Sequence, residues 1–232
     1  MFKRKKGPRH FRHNNRSLVT LRTPKSPVSE QFRTIRTNID FSSIDEEIRS
    51  ILVTSTGPGE GKSTVAANLA CVYAQQGKKV LLVDSDLRKS TVHYTFRVEN
   101  LYGLTSVLLK QVPMEKAIQD CEQDRLHILT GGPTPPNPAE LLSSKAMFEL
   151  IESVKEHYDI VIIDAPPILA VADARIIANH VDGTLLVVSS GKTDKDQAVK
   201  AKEALEQSRS KLLGAVLNGK KHDDQHLYYY YG

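Results

Sequence analysis

Three short stretches of this chain hold the residue types that phosphate chemistry needs. In "TGPGEGKST", glycines at 57, 59 and 61 lead into Lys62, Ser63 and Thr64. Closely spaced glycines let successive backbone N–H groups, including that of Glu60, turn into one concavity that can cradle phosphate oxygens. A lysine at the end of such a loop reaches the β- and γ-phosphates, and the hydroxyl behind it, here Ser63, ligates magnesium. In "VLLVDSDLRKS", Asp84 and Asp86 lie two apart, so an extended backbone puts both on one face, and Arg88 follows. In "IVIIDAPP", four apolar residues end on Asp164. Carboxylates beside a phosphate loop can hold a divalent cation or take up a proton. The reading is a nucleotide triphosphate site.

The elements needed to position these residues are legible around them. "SILVTS" (50–55) runs into the glycine loop, and "VAANLACVYAQQG" continues as a helix, which is the strand–loop–helix context a P-loop requires. Thr56 stands where the strict G-x-x-x-x-G-K-[ST] pattern has glycine. The glycine spacing and the added lysine do not fit a dinucleotide fold. Further apolar runs at 79–84, 126–130, 159–164, 183–190 and 212–218 predict strands. Helical patterns at 62–76, 138–157, 173–179 and 195–208 separate them, and "GGPTPPNPAELL" leads into the second of these with a cap near Asn137. Near-continuous apolar strands alternating with helices predict an α/β protein: a doubly wound, mainly parallel sheet with helices on both faces. Ahead of it, "SPVSEQFRTIRTNIDFSS" predicts a helix, with Ser26 as cap and Pro27 in the first turn.

The two ends differ from the middle. Residues 1–25 carry nine Lys or Arg and no acid, so the net charge of +5 comes from this segment; the rest holds 23 bases against 27 acids. We read 1–25 as a basic flexible tail suited to anionic lipid, an acidic partner or simple solubilisation. No recognisable nucleic-acid-binding motif accompanies it, so nucleic acid is not the expected partner. Residues 26–220 form the folded domain, and 221–232 a flexible end with Tyr228–Tyr231 side by side, half of the chain's eight tyrosines. Four adjacent aromatics give neither helix nor strand one buried face. No apolar run approaches the roughly 20 residues needed to span a bilayer, and no apolar stretch follows "MFKRKK" as in a signal peptide. A cytosolic protein is expected. Cys71 and Cys121 are too few and too far apart for a disulfide framework or metal site.

Taken together, these stretches resemble the bacterial tyrosine kinases, a branch of P-loop ATPases related to the MinD/ParA group. "PGEGKST" is similar to the family's Walker A, "VLLVDSDLR" to its Walker A′ (apolar residues, then D-x-D-x-R) and "IVIIDAPP" to its Walker B. "EQFRTIR", with Glu30, Arg33 and Arg36, resembles its E-x-x-R-x-x-R oligomerisation motif, and "YYYY" its terminal tyrosine cluster. Read alone, Glu30 and Arg33 would be an ordinary i,i+3 surface pair. Gly57 stands where the MinD/ParA group carries an extra lysine, and Ser90 where many relatives have proline. The similarity is strongest to soluble kinase modules of Gram-positive capsule and exopolysaccharide operons.

The resemblance implies ATP and Mg²⁺ as cofactors. Gly57, Gly59, Glu60, Gly61, Lys62, Ser63 and Thr64 would bind the phosphates, and Asn218 the adenine, with a plain turn before Gly219 as the alternative. Ser63, Asp86 and Asp164 would hold the metal. Lys62, Asp84 and Asp86 would be catalytic, Asp84 taking the tyrosine proton, with exchange of Asp84 and Asp86 left open. Tyr228, Tyr229, Tyr230 and Tyr231 would be acceptors, presented to a neighbouring subunit in a head-to-tail ring. The other implied partners are a separate transmembrane activator, which would recruit the kinase to the inner face of the membrane, and substrates such as sugar-nucleotide dehydrogenases and glycosyltransferases.

Overall fold

The apolar runs become strands of one seven-stranded sheet in the computed structural model, which describes residues 18–42 and 47–220. The strands are β1 (Ser50–Ser55), β2 (Val80–Asp84), β3 (Ile118–Asp120), β4 (Leu126–Leu129), β5 (Ile160–Asp164), β6 (Gly183–Ser189) and β7 (Lys211–Asn218). Their order is β3-β4-β2-β5-β1-β6-β7. Every pairing is parallel except the short β3–β4 edge. The segment before residue 18 and Tyr228–Tyr231 lie outside the described residues.

Alternate side chains of the central strands enter two cores, as expected of strands covered on both faces. Ile51, Val53, Leu82 and Ile162 face one core, which α1 (Val19–Arg22), α2 (Pro27–Ser42), α3 (Lys62–Gln75) and α4 (Val92–Phe96) close. Leu52, Leu81, Val161 and Ile163 face the other. Around it lie α5 (Leu104–Leu108), α6 (Met114–Ala117), α7 (Pro138–Leu142), α8 (Lys145–His157), α9 (Asp173–Ala178) and α10 (Lys195–Glu206). Cys71 is a fully buried core residue whose thiol burial pushes up to about 12, and it forms no disulfide.

Three sequence expectations are modified. The helix expected over 138–157 is two helices, because Ser144 breaks the run and caps α8 by accepting the Met147 N–H. β3 has no sequence signature, being three residues of which one is apolar. Residues 18–22, inside the segment read as a tail, are packed on the domain. Leu18 and Thr20 are buried, and Asn68 of α3 accepts both the N–H (3.1 Å) and the hydroxyl (2.9 Å) of Thr20. The Ser26 cap of α2 is present, its hydroxyl accepting the Ser29 N–H at 3.2 Å. No helix among the described residues is long and apolar enough to cross a membrane.

Candidate active site

The site lies at the carboxyl ends of β2, β5 and β1, where open α/β sheets form their ligand crevice. β1 ends at Ser55, the loop turns over 56–61, and Lys62 opens α3. Gly59 and Gly61 adopt φ of +78° and +96°, so two of the three loop glycines sit where a side chain is strained. Gly61 also lies against Asn218, whose Nδ2 would be 2.1 Å from an added Cβ. Asn218 closes β7 and donates through Nδ2 to the Glu60 carbonyl at 2.8 Å, so it braces the loop rather than merely starting a turn.

Lys62 converges on the carboxylates that the sequence pattern singled out. Its Nζ is 2.8 Å from Asp86 Oδ2 and 3.3 Å from both Asp164 Oδ1 and Ser63 Oγ. Burial alone would lower the Lys62 pKa, but Asp164 and Asp86 together raise it, so the ammonium stays charged. Asp164 is fully buried, and desolvation pushes its carboxyl up to about 6 despite the Lys62 charge. Its Oδ2 is buried with no hydrogen-bond partner among the described residues. Such an orphan oxygen calls for a partner. With the Ser63 hydroxyl and Asp86 it offers the all-oxygen donors that suit Mg²⁺. No group of three or more His, Cys, Asp or Glu among the described residues could hold a metal unaided. Magnesium fits that pattern, because it usually takes one or two protein ligands and completes its shell with phosphate and water.

Asp84 occupies a different environment from Asp86. It has no exposed surface, and its Oδ2 accepts from the Ser90 hydroxyl (2.7 Å), the Thr91 N–H (2.8 Å) and the Val92 N–H (3.0 Å). Its Oδ1 accepts from the Asp86 N–H at 3.2 Å. Burial raises its pKa, against the pull of the Val92, Ser90 and Thr91 donors. The expectation that Asp84 takes the tyrosine proton meets an obstacle here: the carboxylate is fully buried and already accepts from four donors, three of them on Oδ2. Asp84 anchors the loop that carries Asp86, and Ser90 serves that anchor where proline could not.

Sequence reasoning missed two residues of the frame. Asp173, at the start of α9 and fully buried, receives Arg88 bidentately at 2.9 and 3.1 Å and so ties the Walker A′ segment to the element after Walker B. Thr193 donates to the Glu60 carboxylate. Neither stands in a motif, since each is brought in by tertiary packing from more than 80 residues away. The Glu30–Arg33 ion pair is on the surface of α2, whereas Arg36 turns inward and donates to the Val72 carbonyl at 3.1 Å.

The loop, the convergent lysine and the strand-end carboxylates define a P-loop ATPase, and a family model described as the AAA domain matches residues 48–193. Tyrosine-protein kinase YwqD of Bacillus subtilis (strain 168) is 61% identical over 217 residues, 94% of this chain and 92% of that protein. The kinase domain of Escherichia coli tyrosine kinase ETK superposes with a TM-score of 0.84 at 35% identity, covering 91% of this chain and 84% of that one. The septum site-determining protein MinD from Pyrococcus horikoshii, complexed with Mg-ADP, gives 0.65 at 26% identity, over 75% and 72% of the two chains. The chain belongs to the bacterial tyrosine kinases. It is a protein-tyrosine kinase built on the MinD-type P-loop fold.

Proposed function

We propose that this kinase transfers the γ-phosphoryl group of ATP to Tyr228–Tyr231 of a neighbouring subunit, and through its phosphorylation state regulates capsular or extracellular polysaccharide synthesis and export. The observation that carries the reading is Lys62 held between Asp86 and Asp164 beneath the glycine loop. Phosphoryl transfer is mainly positioning and charge neutralisation. The amides of 59–64 and the Lys62 ammonium would hold the triphosphate, with Asn218 near the adenine. Ser63 and Asp164, with Asp86 beside them, would hold Mg²⁺, which supplies charge neutralisation on the β- and γ-oxygens.

In the transfer the tyrosine oxygen bonds to the γ-phosphorus as the bond to the β,γ-bridging oxygen breaks and ADP departs. The phenolic proton needs a carboxylate. A phenol with a pKa near 10 yields it only as charge develops in the transition state. The saturated environment of Asp84 supports exchanging the two aspartates, so that Asp86 receives the proton once Lys62 turns from it to the phosphates. Head-to-tail assembly through Glu30 and Arg33, with Arg36 fastening α2 to α3 behind them, would bring one subunit's tail to the next subunit's site, and such contacts close into a ring when the rotation allows. A separate transmembrane activator would recruit and switch on the kinase at the inner face of the membrane. Sugar-nucleotide dehydrogenases and glycosyltransferases would be its further substrates.

The test is the intact mass of the full chain after incubation with Mg-ATP and the cytoplasmic segment of a candidate activator, beside Lys62→Met and a Tyr228–Tyr231→Phe variant. Several phosphate increments are expected in the wild type and none in either variant. ATP consumption without increments would instead favour a nucleotide-controlled switch.

A further inference from the structure

We propose that Thr193 is a positioning residue for nucleotide binding, acting through the carboxylate of Glu60; the inference rests on the reading of the P-loop as the ATP site. Glu60 belongs to the loop and is only 8% exposed. Carboxylates are seldom so buried unless paired, yet no ion pair holds this one among the described residues. Two donors do. Glu60 Oε2 accepts the Gly57 N–H at 2.9 Å, and Glu60 Oε1 accepts the Thr193 hydroxyl.

The orientation of the Thr193 hydroxyl is itself fixed. Its oxygen accepts the Ser189 N–H at 2.7 Å, which leaves its proton for Glu60. The end of β6, through Thr193, and the P-loop, through the Gly57 N–H, therefore both donate into the one Glu60 carboxylate. The Glu60 carbonyl meanwhile accepts from Asn218 at the end of β7. Glu60 is thus the point at which both strands on that side of β1 grip the phosphate loop. The Thr193–Glu60 contact also lines a cavity of about 430 Å³ between the loop and α10, with Lys192 and Gln197 on its wall.

The direction of the effect follows from charge. A buried carboxylate oxygen that loses its donor carries a large desolvation cost and turns to whatever donors are near. The nearest are the amides of the same loop, which make an anion-binding concavity. Without the Thr193 hydroxyl, Glu60 becomes an internal anion competing with the triphosphate. With it, the charge is fastened on Thr193 and Gly57, and the later amides of the loop stay available.

The experiment measures Mg-ATP affinity with a fluorescent ATP analogue, together with kcat and KM for phosphorylation, on the full chain with its activator segment. Thr193→Val is expected to weaken nucleotide binding and raise KM about tenfold, with kcat within about twofold of wild type. Thr193→Ser, which keeps the hydroxyl, restores affinity. In the Glu60→Gln background the neutral amide cannot compete as an anion, so adding Thr193→Val costs less than it does in the wild type. Unchanged affinity in Thr193→Val, a loss that Thr193→Ser does not repair, or an equal cost in both backgrounds would each overturn the proposal. A wild-type chain that binds no Mg-ATP would overturn the ATP reading itself, and the inference with it.

Discussion

Asp84 and Asp164 stand at the same register level on neighbouring strands β2 and β5, both fully buried. Burial raises the pKa of both, and the Asp84 charge raises that of Asp164 further. Lys62 offsets part of that cost; two backbone amides and the Ser90 hydroxyl further stabilise Asp84, whereas Asp164 has only the Ser63 hydroxyl. The pair is therefore unequal: Asp84 is a satisfied anchor, whereas Asp164 Oδ2 is buried with no hydrogen-bond partner among the described residues.

The pH dependence of stability should report that inequality. The folded-state value of Asp164, about 6, lies above the ordinary aspartate value of about 3.9 in an unfolded chain. Between the two, the folded state binds more protons, so this group's contribution to stability falls as pH rises from about 4 to about 6. Asp164→Asn removes the effect. Its stability relative to wild type should climb through that window and level off by at most about 3 kcal/mol above it, less what Lys62 loses, while phosphotransfer disappears. Urea unfolding of both proteins without magnesium or nucleotide, from pH 4 to 7.5, checks this. A difference that stays flat with pH would mean that Lys62 already holds Asp164 ionised at no cost.

The parts of this site written in local sequence were readable, and those written in packing were not. Lys62 and Ser63 follow from the glycine loop, and Asp164 from an apolar run ending in an acid. Five of the six longer strands follow from their apolar runs because both faces are covered; the sixth, β7, is an apolar edge strand with no fully buried residue. Asp84 and Asp86 look equivalent in sequence; only the helix that begins at Val92 makes one a buried anchor. Asp173 and Thr193 resemble any helix-start aspartate or loop threonine until Arg88 and Glu60 arrive from distant segments. The helix at Val19–Arg22 was hidden among basic residues, since what fixes it is Thr20 bonded to a distant asparagine.

Lys62→Met removes the cation that faces both Asp86 and Asp164. Phosphotransfer should fall by about 10³-fold or more, as when a preorganised charge at a transition state is lost. The fold should persist, because the carboxylates it leaves can take up protons instead of remaining as buried charges. Activity and circular dichroism measured side by side check both halves. An unfolded variant would mean that the ion pairs hold the domain together.

The Arg88–Asp173 pair should respond asymmetrically to mutation. Arg88 is 42% exposed in its side chain and Asp173 not at all. Losing Asp173 leaves a guanidinium that water can solvate, so Asp173→Ala should cost about 1 kcal/mol. Losing Arg88 leaves a buried carboxylate unpaired, so Arg88→Ala should cost about 2–4 kcal/mol. The double variant should be more stable than Arg88→Ala alone. Chemical denaturation of the three variants decides this, and equal single-variant costs would show that water reaches Asp173 when Arg88 is gone.

The motif on α2 should separate into an assembly part and a folding part. The Glu30 and Arg33 side chains are 64% and 30% exposed, and an exposed pair contributes at most about 1 kcal/mol within its own chain. Arg36 instead donates to the Val72 carbonyl of α3 and packs against its own domain. Glu30→Ala and Arg33→Ala should therefore leave stability nearly unchanged but shift the protein to smaller assemblies, most strongly at low salt, because high salt screens the same surface charges in the wild type. Arg36→Ala should lower stability by about 1 kcal/mol, and any effect on assembly should follow from that loss. Light scattering coupled to size exclusion, run in Mg-ATP at low and high salt beside thermal unfolding, separates the two. If Arg36→Ala alone dissolved the assembly at unchanged stability, Arg36 would have to leave Val72 in the oligomer, and the contact seen here would belong to the free subunit.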